Sequence, residues 1–184
     1  MIRRMESRTT DLATAPAPEP GPGPGADWAL HPATTADVEP IAELRALVMR
    51  PDLERLGRYD EHRVRQRLRD AFSPRHTSII TVGGDFAGCV ALRPAEVAGE
   101  GAAEVAGEGV AGQWLEHFYL DPRHQGRGLG SAVLRTLLDR ADEQHVTVHL
   151  NVLQGSAARR LYERHGFVVT AEDPIDVYMT RLPR

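Results

Sequence analysis

Six consecutive residues, Gln125-Gly126-Arg127-Gly128-Leu129-Gly130, have the types and spacing to hold an anion. Leu120-Asp121-Pro122 closes a strand pattern and a helix pattern begins near Ser131, so the backbone between them must turn sharply. Gly126, Gly128 and Gly130 remove the side chains that would keep a ligand off that turn. The first amides of a helix have no partner inside it, and the helix dipole adds roughly half a positive charge there. Such a site attracts phosphate. A turn that serves only the chain's own geometry fits the same six residues equally well. Two familiar phosphate motifs are excluded. No Gly-Lys-Ser/Thr follows, and Gly126-x-Gly128-x-x-Ser131 lacks the third glycine of a dinucleotide fingerprint.

The elements that would position this turn can be read from hydrophobic periodicity. Residues 28–31 form a short strand, and residues 35–48 a helix whose stripe is Val38, Ile41, Ala42, Leu44 and Val48. A second helix over 60–72 carries arginines that read as a solvated face. Residues 79–82 and 86–92 flank Gly83-Gly84-Asp85 as a hairpin. Residues 114–120 are the next strand, 131–141 a helix and 146–152 a strand. A helix over 157–165 is closed by Gly166, and short strands at 167–169 and 177–179 follow. The order β-α-α-β-β-β-α-β-α-β-β predicts an α/β domain with a mixed sheet.

Residues 1–26 read as a disordered Pro/Gly-rich tail, and 27–184 as the folded domain. The heptapeptide Ala95-Glu96-Val97-Ala98-Gly99-Glu100-Gly101 recurs from Ala103 to Gly109, the mark of a surface turn lengthened by tandem duplication. Charged residues make up 26% of the 184 and the net charge is −4, so nothing marks a nucleic-acid binder. No apolar run reaches the ~18 residues of a membrane span, and no signal-like segment follows Arg3 and Arg4. A cytoplasmic location is the expectation. Cys89, the single cysteine, lies in an apolar run and reads as a buried small hydrophobe.

Gln125-x-x-Gly128-x-Gly130 resembles the Gln/Arg-x-x-Gly-x-Gly/Ala signature of the GNAT superfamily of N-acetyltransferases. The preceding Phe118-Tyr119-Leu120-Asp121-Pro122 is similar to that family's strand and turn. Downstream, Ala158-x-x-Leu161-Tyr162-Glu163-x-x-Gly166-Phe167 resembles its Leu-Tyr-x-x-x-Gly-Phe block. The resemblance implies a mostly antiparallel sheet flanked by helices and acetyl-CoA as cosubstrate, with no metal. It departs at Gly155, where the family often carries an asparagine near the pantetheine arm. Asn151, Gln154 and Ser156 are the candidate substitutes.

The same resemblance implies roles. Phe118, Tyr119 and Leu120 would pair with pantetheine, while amides from Gln125, Gly126, Arg127, Gly128, Leu129, Gly130 and Ser131 would hold the pyrophosphate. Arg123 and Arg127 could add charge near phosphate. Glu116 falls where several members carry their general base, with His117 as the second candidate, and Tyr162 matches the acid that protonates the leaving sulfur. Strand alternation would set Trp114, Glu116, Phe118 and Leu120 on one face and Leu115, His117 and Tyr119 on the other.

The acceptor would be a small-molecule or peptide amine. Glu172, Asp173 and Asp176 suggest either recruitment of a cation or a merely exposed acidic turn. A non-catalytic acyl-CoA-binding sensor is the rival reading, and exposed edge strands allow a homodimer. His145 and His149 lack partners at metal-ligand spacing.

Overall fold

The computed structural model describes residues 27–95 and 112–184. The expected tail over 1–26 and nearly all of the duplicated turn lie outside them. Strand β1 (Trp28–Pro32) leads through a 3-10 turn (Thr35–Asp37) into helix α1 (Val38–Arg55). The Thr34 amide and hydroxyl both donate to Asp37 Oδ2, at 2.7 and 2.8 Å, and fix that entry. Helix α1 runs past the expected stop at residue 48, with Pro51 inside it. Proline removes the hydrogen bond to the residue four back, which is Leu47, 57% exposed and open to water. That exposure lets the helix continue.

Asp60 caps α2 (Glu61–Ala71), its Oδ1 accepting from the Arg63 amide at 2.7 Å. The arginines of α2 do not form one solvated face, because Arg65 and Arg69 make forked pairs with Glu43 and Glu39 of α1. Strands β2 (Thr77–Val82), β3 (Asp85–Pro94) and β4 (Gln113–Leu120) follow. After them come α3 (Leu129–Glu143), β5 (Val148–Leu153), α4 (Ala158–Arg164), β6 (Val168–Glu172) and β7 (Asp176–Arg181). The expected order of elements is the observed one.

The seven strands lie in the order β1-β2-β3-β4-β5-β7-β6. Every neighbouring pair is antiparallel except β4–β5, which is parallel. One core, on the α3–α4 face, joins Ile80, Val90 and Leu115 to Val133, Leu134, Leu150 and Met179. A smaller one beneath α1 and α2 gathers Ile41, Ala42, Leu68, Ile79 and Cys89.

Two irregularities shape β4. Its register with β5 covers only Gln113↔Val148 and Trp114↔His149, and beyond Trp114 the strands part. Its register with β3 shifts between Cys89↔Tyr119 and Ala91↔Glu116, so two residues of β4, His117 and Phe118, face one of β3. This is a β-bulge, with His117 at φ 50°. The bulge overturns the expected alternation. Leu115 now shares a side with Phe118 and Leu120 against the larger core, while Tyr119 packs on the smaller one.

Candidate active site

Gly126 and Gly128 adopt φ of 70° and 87°, the left-handed region that suits glycine, and a Cβ on either would meet nothing within 4 Å. The space above the turn is open. Gly130 serves differently: a Cβ added there would stand 3.3 Å from Leu120 Cδ1 and 3.6 Å from Leu161 Cδ2, so its absence eases the packing of α3 on both. No side chain caps α3. Its first internal bond runs from the Ala132 amide to the Gly128 carbonyl at 3.0 Å, which leaves the amides of Leu129, Gly130 and Ser131 without an intrahelical acceptor. A turn open above and rich in unpaired amides fits a pyrophosphate. Gln125 turns its side chain the other way, donating to the Leu120 carbonyl at 2.8 Å and tying the turn to the end of β4. Arg123 donates twice to Asp121, so its charge is already engaged.

The bulge collects a polar cluster. Arg93, opposite Trp114 on β3, donates Nη2 to Glu116 Oε2 at 2.8 Å. Glu116 Oε1 lies 3.5 Å from His117 Nε2. Arg45 of α1 donates Nη1 to the Tyr119 hydroxyl at 2.8 Å, and that hydroxyl lies 3.2 Å from His117 Nδ1. With Arg45 donating to it, the phenol can donate onward to Nδ1, and the His117 proton then sits on Nε2, toward Glu116. The Cys89 thiol donates to the His117 carbonyl at 3.1 Å and braces the bulge. Burial pushes that thiol up to about 12, so it is inert.

Burial raises the Glu116 carboxyl above its ordinary value against the opposing pull of Arg93 and Arg45. Its side chain is 16% exposed. Burial, then the charges of Arg45 and Arg93, drive His117 down to about 3. His117 is therefore neutral at any working pH, and of the two base candidates Glu116 holds the titration in a useful direction.

Tyr162 of α4 is buried edge-on to Phe167, with ring centroids 5.7 Å apart. Its hydroxyl makes no hydrogen bond to another described residue. Burial, reinforced by neighbouring Tyr119, raises its pKa, so the phenol stays protonated. Tyr162 thus adjoins the strand that carries Glu116, His117 and Tyr119.

Gly155 takes φ 72°, and a Cβ there would come within 2.8 Å of Arg55 Nη1. Arg55 also donates to the Gln154 carbonyl at 2.6 Å, so it occupies the space an asparagine side chain would claim. The acidic turn is largely engaged within itself. Asp173 accepts from the amides of Ile175 and Asp176, and Glu172 from Gln154 and Arg159. Sequence reasoning missed Arg45 and Arg93. The signal for Arg45 was a charged residue four after Ile41, inside the apolar stripe of α1. His145 bonds the Glu143 carbonyl and His149 stacks on Trp114. Among the described residues no three metal-ligating side chains gather, and no helix is long and apolar enough to cross a membrane.

A spermine/spermidine N(1)-acetyltransferase of Bacillus subtilis (strain 168) is 36% identical over 62 residues, 32% of this chain and 41% of that one. An L-amino acid N-acyltransferase of Escherichia coli (strain K12) is 43% identical over 63 residues, 33% and 37% of the two chains. The chain thus spans about two fifths of the length of these curated relatives. A crystal structure of a Pyrococcus horikoshii OT3 protein superposes with TM-score 0.63 at 22% identity, over 85% of this chain and 99% of that one. The PaiA N-acetyltransferase of Thermoplasma acidophilum, solved with coenzyme A, does so with TM-score 0.62 at 16% identity, over 84% and 98%. The model of the acetyltransferase (GNAT) family matches residues 39–167, well over half of the sequence and including both the glycine turn and the Leu161-Tyr162 block, so the chain belongs to that family.

Proposed function

We propose that the chain moves acetyl from acetyl-CoA to an amine by direct attack in a ternary complex, with residues 27–184 as the working domain. The observation that carries this reading is the parting of β4 from β5 beyond Trp114, directly before the open amides of α3. Phe118, Tyr119 and Leu120, beyond the last β4–β5 pair, receive the pantetheine arm at an edge where Gln125 already holds the Leu120 carbonyl, and the amides from Gly126 to Ser131 receive the pyrophosphate. Gln125 supports that cradle through its bond to the Leu120 carbonyl.

An alkyl amine of pKa ~10.4 is neutral in only about one molecule in a few thousand at pH 7, so a base speeds its attack. Glu116 takes that proton, directly or through water. As the C–N bond forms, backbone amides of the bulged β4 hold the developing oxyanion. The C–S bond then breaks and Tyr162 gives its proton to the sulfur. No metal enters this scheme, and the cytoplasm, where acetyl-CoA is available, suits it.

A thiol-release assay with acetyl-CoA and a panel of amines, run beside calorimetry of CoA, tests the proposal. Turnover with at least one amine is expected. CoA binding without turnover would make the chain an acyl-CoA sensor instead.

A further inference from the structure

A cleft of about 220 Å³ opens between α1, α2 and the ends of β5 and β7. It is smaller than the roughly 300–1,000 Å³ of pockets that take drug-sized ligands, so its occupant is small. Four guanidiniums line it, from Arg45, Arg58, Arg63 and Arg67, against two carboxylates, Asp60 and Asp176. Both carboxylates are already engaged. Asp60 caps α2, and Asp176 accepts from Asn151 Nδ2 at 2.8 Å.

The arginines of α2 divide by face. Arg65 and Arg69 pair with α1 carboxylates, whereas Arg63 and Arg67, one turn apart, line the cleft. Among the described residues, the side chains of Arg58, Arg63 and Arg67 form no hydrogen bond or salt bridge. Arg67 acts on Asp176 only through space. Arg45 joins the cleft to the polar cluster at the bulge, and its buried Nε has no hydrogen-bond partner among the described residues. Four guanidiniums against two carboxylates leave the cleft with an excess of positive charge, and a guanidinium fork matches a carboxylate. A polycation would add to that excess.

We propose, building on the acetyl-transfer reading, that the acceptor is a small amino carboxylate whose carboxylate docks on Arg58, Arg63 and Arg67 while its amine points past Arg45 toward Glu116. The reaction then joins the amine nitrogen to the acetyl carbon and breaks the thioester C–S bond. The ammonium loses two protons: Glu116 passes the first to solvent, and the second, released from nitrogen after the C–N bond forms, returns through solvent to Tyr162 to replace the one it gives the thiolate. The products are an N-acetyl amino carboxylate and free CoA thiol.

Steady-state kinetics on the whole chain tests this with four acceptor types: amino acids, their carboxamides, the corresponding decarboxylated amines, and spermidine. At least a tenfold preference in kcat/KM for the free carboxylate is expected. In the double variant Arg63→Gln, Arg67→Gln, KM for the amino acid rises tenfold or more and the gap between acid and amide closes. Acetyl-CoA affinity, measured by calorimetry, stays at the parent value and confirms the fold. Spermidine or a decarboxylated amine turning over as well as the amino acid would overturn the inference and leave the transferase intact. So would a double variant that folds yet keeps the acid-to-amide ratio. No turnover with any acceptor would overturn both readings together.

Discussion

Glu116 stands under two opposing influences. Burial disfavours its charge, while the guanidinium of Arg93, 2.8 Å away, favours it, and burial prevails. With Glu116 as the proposed base, activity falls on its protonation at a pH raised above that of an ordinary glutamate. Replacement Glu116→Gln is expected to lower the rate by about 10²–10⁴ and to erase that acidic limb from kcat/KM. A limb shared by variant and parent would remove Glu116 from the reaction. For Tyr162→Phe, kcat should fall while acetyl-CoA affinity holds, and unchanged turnover would refute the acid role. Both could be named as candidates because each lies inside or beside a short local motif. Arg45 and Arg93 could not, since the fold brings them to His117 and Glu116 across 72 and 23 positions.

At the level of elements, the glycine turn combines two separate requirements. Gly126 and Gly128 satisfy backbone angles, whereas Gly130 satisfies packing between α3, Leu120 and Leu161. A valine at position 128 would hold a β-branched residue at φ 87°, a strain of about 1–3 kcal/mol, and would intrude on the open space above the turn. Gly128→Val is therefore expected to weaken CoA binding at least tenfold, read by calorimetry, and an unchanged affinity would deny the turn its ligand. The order of strands and helices was readable because apolar periodicity is strong along α3 and apolar alternation is clean along β5. The bulge was not, because alternation assumes one residue of β4 for each of β3. Nothing in Glu116-His117-Phe118 announces the extra residue. The length of α1 escaped for a related reason: the helix continues through Pro51, where the unpaired carbonyl belongs to the exposed Leu47.

Across the whole molecule, several histidines are kept neutral. His117 is lowered to about 3 by burial and two arginines, and burial moves His76, His149 and His165 in the same direction. The unfolded chain protonates these rings near pH 6.5, so acid favours unfolding from about that pH downward. His117 alone should cost about 1.4 kcal/mol of stability per pH unit below 6.5, until its folded value near 3 is reached. Asp142 adds a second, lower window. Forked hydrogen bonds from Arg181 hold it at about 2, so its contribution is complete above about pH 3.9 and vanishes as pH falls through 2. Thermal melts between pH 7 and 5 should show a falling Tm that His117→Asn flattens, and a level Tm in the parent would contradict this. The parted strands bear on binding order as well. The acceptor cleft takes Arg45 and Arg63 from one half of the sheet's surroundings and Asn151 and Asp176 from the other, yet β4 and β5 join those halves through two residue pairs. A cosubstrate arm laid along the gap acts as a missing strand and fixes the halves against each other. The acceptor should therefore bind more tightly after CoA than before it, and by linkage CoA should bind more tightly in the acceptor's presence.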